Sequence, residues 1–179
     1  MTIVEEEISS QPRVWLQAGA LARSVRDLLP AAGERVAFFG CGTSYYIAQA
    51  VAASRKRAGH GQSEALAASE LRLHRHYDLA IALSRSGTTT EVLEAERALR
   101  RAGQVLAITA DPDSPLAEEA DRVVAMPFAD ERSVVRASTR FGEPVPVVPA
   151  ALGEEAGCFG AGIAAWRAFG LLADWADAS

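Results

Sequence analysis

Short apolar runs that stop at a glycine or a hydroxyl residue, each followed by a stretch of helical length, recur from residue 35 to residue 126. No other feature limits the possible folds as much. Arg35-Val36-Ala37-Phe38-Phe39-Gly40 is the first such run, a continuous apolar segment of the kind buried on both faces of a parallel sheet. Asp78 to Leu83 and Gln104 to Thr109 follow the same pattern, Asp121 to Met126 reads as a last strand, and a weaker strand lies at Ser63 to Leu66. Between them lie helical segments at Ser44 to Ala58, Ala67 to His74, Glu91 to Arg101 and Asp111 to Ala120. The third of these ends at Gly103, where a C-cap glycine belongs. Strands alternating with helices imply βαβ units, so the expected fold is a three-layer αβα sandwich around a five-stranded parallel sheet.

The flanks differ. Glu5 to Leu29 reads as two helical pieces broken near Pro12, with apolar residues at helical spacing from Val14 to Leu29. Beyond Phe141, Pro144, Pro146 and Pro149 preclude ordinary secondary structure. A last helix is expected at about 163–176, carrying Trp166, Phe169, Leu172 and Trp175. The chain thus divides into a helical segment (1–30), the α/β domain (31–141) and a Pro/Gly-rich tail with a helix (142–179).

Composition narrows the function. A net charge of −5 argues against nucleic acid as the main partner. The tightest basic cluster, Arg55-Lys56-Arg57, reads as a solvated helix end. No apolar run approaches the ~20 residues needed to span a membrane, and Met1-Thr2-Ile3-Val4 with three glutamates behind it does not resemble a signal peptide. Cys41 and Cys158 form neither a disulfide framework nor a zinc pattern. A cytoplasmic protein is the expectation.

Open parallel sheets bind ligands beyond the carboxyl ends of their strands, and two loops there are chemically unusual. Gly40-Cys41-Gly42-Thr43-Ser44 offers glycines for close backbone approach and two hydroxyls at a helix start. Ser84-Arg85-Ser86-Gly87-Thr88-Thr89-Thr90 carries five hydroxyls in seven residues. A phosphate needs several converging donors, which hydroxyls and the free N–H groups of a helix N-terminus provide. A capping box, Thr88 with Glu91, would explain two of these residues but not Ser84, Ser86 and Thr89 as well. No P-loop or full dinucleotide glycine pattern is present.

These residues resemble the ordered signatures of the SIS (sugar isomerase) domain family. They are Cys41-Gly42-Thr43-Ser44, Ala68-Ser69-Glu70, Leu83-Ser84-Arg85-Ser86-Gly87-Thr88-Thr89 and Ala137-Ser138-Thr139-Arg140. The likeness spans about residues 5 to 141 and is greatest to the first half of two-domain members, such as the isomerase part of glucosamine-6-phosphate synthase and related aminosugar-phosphate isomerases and deaminases. It implies a flavodoxin-like SIS fold, with Ser84, Ser86 and Thr89 holding the phosphate. Arg85 stands where the synthase has glutamine. Gly42, Thr43 and Ser44 would face the phosphate or sugar, and Glu131 would close the pocket.

Aldose–ketose interconversion also needs a base near C1 and C2. In two-domain members such groups come largely from the second half or a neighbouring subunit. The tail from Gly142 carries no second hydroxyl loop, histidine or lysine, so the catalytic residues stay unassigned. Glu70 and Glu131 are the carboxylate candidates. His60, His74 and His76 read as solvated, and Cys41 as a small residue required by packing. The resemblance further implies a homodimer or homotetramer, a phosphorylated sugar as ligand, and neither metal nor organic cofactor. A non-catalytic phosphosugar sensor is the main alternative, and a flavodoxin-like electron carrier a remoter one.

Overall fold

The apolar runs form the strands of one parallel sheet. In a computed structural model, which describes residues 3–70 and 75–130, β1 (Val36–Gly40), β2 (Ser63–Ala67), β3 (Leu79–Leu83), β4 (Gln104–Thr109) and β5 (Arg122–Ala125) lie in the order β2-β1-β3-β4-β5. All four neighbouring pairs are parallel. Helices α2 (Thr43–Arg57), α3 (Thr90–Arg100) and α4 (Pro115–Glu119) connect them, and α1 (Ile3–Ser24) precedes the sheet.

Side chains alternate across the strands, so each face buries its own apolar layer. Val36, Phe38, Leu79, Ile81 and Leu106 meet Ala48 and Ala52 of α2, with Leu21 of α1 at the margin. Ala37, Phe39, Ala80, Ala82 and Ala107 meet Val92, Ala95 and Leu99 of α3 and Leu116 of α4. The alanines on this second face bring α3 close to the sheet. Phe39, Ile81 and Leu106 are fully buried, and truncating any one to alanine would cost ~2–5 kcal/mol.

Three expectations change. First, α1 is one continuous helix with Pro12 inside it. Proline removes one helical hydrogen bond, leaving the Ile8 carbonyl without its donor; Ile8 is 60% exposed, so water can reach it. Second, the stretch expected as a helix from Ala67 continues β2 through Ala67 and then makes a 3-10 turn, Ala68–Glu70. Third, Arg55 is not part of a solvated helix end. It is buried, whereas Lys56 and Arg57 are exposed. Its Nη1 donates to the Glu34 carbonyl at 3.0 Å and to Ser63 Oγ at 3.0 Å, and its Nη2 donates to the Ala31 carbonyl at 2.7 Å. The guanidinium therefore ties the loop before β1 to α2 and to the edge strand β2.

The strand order places the site. From β1 the chain steps outward to β2, then crosses back to the opposite side of β1 for β3. The connections leaving β1 and β3 thus go to opposite faces, and a crevice opens between their carboxyl ends. Gly40 and Leu83 are register partners at that edge.

Candidate functional site

The loops after β1 and β3 meet in this crevice. A cavity of ≈ 180 Å³ there is lined by Cys41, Ser44, Leu83, Ser84, Arg85, Ser86, Thr89 and Val92. Gly40 permits the approach: a Cβ on it would lie 2.8 Å from the Leu83 carbonyl oxygen and 2.8 Å from Ser44 Cβ. The start of α2 can therefore pack directly against the end of β3, which brings Ser44 to the second loop.

That loop is held from several directions. The Arg85 carbonyl accepts the Ala110 N–H and the Thr109 hydroxyl, both at 3.0 Å, which ties it to the end of β4. The Gly87 carbonyl accepts the Leu116 N–H of α4 at 3.1 Å. Gly87 itself has φ +62°, and a Cβ there would overlap Ser114, the N-cap of α4. Only glycine lets the loop turn so tightly against α4.

The hydroxyls are arranged to donate. Ser84 Oγ accepts the Gly87 N–H at 3.2 Å, and Ser86 Oγ accepts the Thr88 hydroxyl at 3.0 Å. Acting as acceptors inside the loop, both serines keep their own hydroxyl hydrogen available for a ligand. Thr89 is the N-cap of α3, yet its side chain makes no capping bond. The alternative reading of this loop, a Thr88–Glu91 capping box, is therefore not realised, because the N-cap falls one residue later. Val92 and Leu93 bond to the Thr89 carbonyl, leaving the Thr90 and Glu91 N–H groups without a backbone acceptor among the described residues. A helix start, three donor-ready hydroxyls and Ser44 thus share one small cleft, which is the chemistry a phosphate dianion requires.

Arg85 borders both this cleft and a second cavity of ≈ 400 Å³, lined also by Thr88, Asp111, Pro112 and Asp130. The Arg85 guanidinium lies 3.8 Å from the Asp130 carboxylate. Sequence reasoning missed Asp111 and Asp130. The Asp-Pro step at the carboxyl end of β4 was the available signal, and it reads as an ordinary turn. Gly42 and Thr43 are exposed and lie outside the cleft lining, whereas Ser44 is within it.

No carboxylate lines the first cleft among the described residues. Glu70 ends its 3-10 turn as an exposed residue. Cys41 reaches the cleft, but burial and the nearby Glu91 carboxylate push its thiol pKa up, the reverse of what an activated nucleophile needs. His60 is half-buried and His76 exposed. Glu131, Arg72, His74, Cys158, the Ala137–Arg140 signature and the tail with Trp166 and Trp175 lie outside the described residues. No group of three or more His, Cys, Asp or Glu able to hold a metal occurs among the described residues, and no helix there is long and apolar enough to cross a membrane.

Comparison with known proteins agrees with this fold. The family model described as "SIS domain" matches residues 29–141. A 55-residue stretch is 44% identical to 3-hexulose-6-phosphate isomerase of Mycobacterium gastri, covering 30% of this chain and 28% of that protein. Glucosamine-6-phosphate deaminase of Thermotoga maritima is a structural neighbour with a TM-score of 0.59 and 26% identity, over 70% of this chain and 40% of that one. The C-terminal domain of glucosamine-fructose-6-phosphate aminotransferase of Francisella tularensis superposes with a TM-score of 0.67 and 18% identity, over 97% of this chain and 50% of that one. The chain thus spans less than half the length of the curated relative and of the deaminase.

Proposed function

Because the chain belongs to the SIS domain family, we propose that it binds a hexose or hexosamine 6-phosphate and acts as an aldose–ketose isomerase or an aminosugar-phosphate isomerase or deaminase. The observation that carries this reading is the ≈ 180 Å³ cleft where Ser44, Ser84, Ser86 and Thr89 converge beside the first turn of α3. In this reading Ser84, Ser86 and Thr89 donate to the phosphate oxygens. Ser44 closes the cradle from the other side, with Gly42 and Thr43 at its outer rim. Arg85, at the border of the second cavity, adds positive charge and faces the sugar.

The chemistry is movement of a proton between adjacent carbons, and it requires a base within reach of C1 and C2. Glu131 is our candidate from this chain to close the pocket, and Glu70 is the other carboxylate to test. A homodimer or homotetramer would let a neighbouring copy complete the site, and we place the protein in the cytoplasm. The names of the similar proteins, which include a hexulose-phosphate isomerase and a glucosamine-6-phosphate deaminase, support a phosphorylated sugar as substrate class.

The test is turnover of fructose 6-phosphate and glucosamine 6-phosphate by the full chain, followed by chromatography of the products. Interconversion, or release of ammonia from the aminosugar, supports the enzyme reading. One observation favours a second reading: the first cleft has no carboxylate in its lining among the described residues. Saturable binding of both sugars without turnover by the intact oligomer would identify a phosphosugar sensor instead.

A further inference from the structure

Glu96 is the residue that neither the phosphate cradle nor the packing of the sheet accounts for. It lies on the buried side of α3, one turn beyond Val92, which lines the cleft. Its side chain is fully buried, and neither carboxylate oxygen has a hydrogen-bond partner among the described residues. An ionised carboxylate in that position is strongly disfavoured.

The group nearest to resolving this is itself a carboxylate. Glu119, at the last turn of α4, interacts with Glu96, and it is also gripped by Arg97, whose Nε donates to Glu119 Oε2 at 2.6 Å. Two carboxylates can bond to each other only when one carries a proton. Burial, then the Glu119 charge, raise the Glu96 pKa, while the Arg97 hydrogen bond lowers that of Glu119. The two directions agree. Of the two, Glu96 is the carboxyl pushed toward its protonated form and Glu119 the one that Arg97 holds toward its ionised form.

The other charged groups around Glu96 do not replace that proton. Arg100 on its own helix is engaged with Asp121, in the link from α4 to β5, at 3.4 Å. The 3-10 turn packed on α3 contributes Glu70, which is exposed. Strands β3 and β4 present Ala80, Ala82, Val105 and Ala107 to this layer. Of the titratable residues bordering it, Tyr77 donates to Glu64, and Cys41 lies at the cleft.

The position matters because α3 and α4 both hold the loop of the cleft. Thr89 is the N-cap of α3. Ser114 is the N-cap of α4 and its side chain fills the space beside Gly87, and the Leu116 N–H of α4 bonds to the Gly87 carbonyl. We propose that Glu96 is a proton-operated latch: protonated, it closes α4 on α3 and keeps the Gly87 turn seated; deprotonated, it loosens that turn and weakens the hold on a phosphate. The last clause rests on the phosphate-cradle reading above, whereas the latch itself does not.

The sign follows from linkage. A carboxyl whose pKa is higher in the closed state than in the open one favours closure at low pH. That advantage is lost as pH rises from about 4.5, the ordinary carboxyl value, through the raised one. Amide hydrogen exchange at Leu116 reads this directly without any ligand. With intrinsic exchange corrected, protection of Leu116 in the full chain should fall with rising pH, by at most about tenfold per unit for one proton. In Glu96→Gln, which stays neutral and can still donate to Glu119, it should be flat. Parallel pH profiles in the two proteins would overturn the latch. Should Glu96→Gln not fold, the infrared band of a protonated buried carboxyl in the wild type decides: its loss in step with Leu116 protection as pH rises above about 4.5 supports the latch, and its absence throughout that range, or its loss with Leu116 protection unchanged, overturns it. Titration of fructose 6-phosphate into both proteins tests the coupling. The wild-type to variant ratio of dissociation constants, which cancels ionisation of the ligand, should rise with pH. A constant ratio overturns the coupling to the loop. Absence of binding in both proteins, with the Leu116 profiles still different, overturns the cradle and leaves the latch standing.

Discussion

Ser84 Oγ accepts the Gly87 N–H at 3.2 Å across the turn that follows β3. One serine thereby shapes the loop with its oxygen and leaves its hydrogen free for the cleft. Ser84→Ala removes both roles. Because hydrogen bonds to charged groups contribute ~1.5–3 kcal/mol, fructose 6-phosphate should bind about 10- to 100-fold more weakly, as measured by calorimetry. Thr89→Val, which keeps the shape and removes only the hydroxyl, should weaken binding without a comparable fall in thermal midpoint, since Thr89 makes no capping bond.

Gly87→Ala tests the backbone rather than the chemistry. The left-handed φ of +62° and the overlap with Ser114 act together. The expected loss in urea unfolding is roughly 2–5 kcal/mol, accompanied by loss of sugar-phosphate binding. Adding Ser114→Gly should relieve the overlap and restore part of the stability, but not the strain in φ.

Arg55 acts at the other end of the sheet. Arg55→Met would leave the Ala31 and Glu34 carbonyls and Ser63 Oγ without their donor. Chemical denaturation should show a loss of roughly 2–4 kcal/mol, and ligand affinity at the remaining folded fraction should be unchanged. Arg55→Lys should be nearly as damaging, because a single ammonium cannot span acceptors held by a planar fork.

Cys41 should be a slow nucleophile. Burial and Glu91 both raise its pKa, so the reactive thiolate is scarce at neutral pH and grows only as pH climbs past the ordinary thiol range. Alkylation by iodoacetamide at pH 7.5, followed on the Cys41 peptide by mass spectrometry, should be slower than for an exposed cysteine. Glu91→Gln should speed it up, and saturating sugar phosphate should slow it, because Cys41 lines the same cleft as Ser84.

Much of this architecture was legible before any coordinates. Val36 to Gly40 and Leu79 to Leu83 announce themselves as buried strands because apolar runs and glycine stops are local signals. The hydroxyl-rich loop is equally visible, since its composition does not depend on what packs around it. Pro12 misled because a proline in a helix is judged by the bond it removes, whereas an exposed Ile8 carbonyl can be satisfied by water. Thr88 and Glu91 carry a capping pattern that the hydroxyl-rich loop already argues against, and the helix indeed starts later, at Thr90.

Other properties belong to contacts between distant segments. Arg55 has charged neighbours in sequence, yet Ala31, Glu34 and Ser63 bury it. Glu96 looks like any polar residue on an amphipathic helix until α4 brings Glu119 against it. By itself, the sequence determined that this chain makes a parallel α/β sheet with a hydroxyl-rich loop after β3, because strand periodicity and loop composition are carried residue by residue. Only the tertiary structure decided that Ser44 shares a cleft with Ser84, that Gly87 must yield to Ser114, and that Glu96 is buried without a donor. Those outcomes depend on strand order and helix packing, which bring together groups that no local pattern relates.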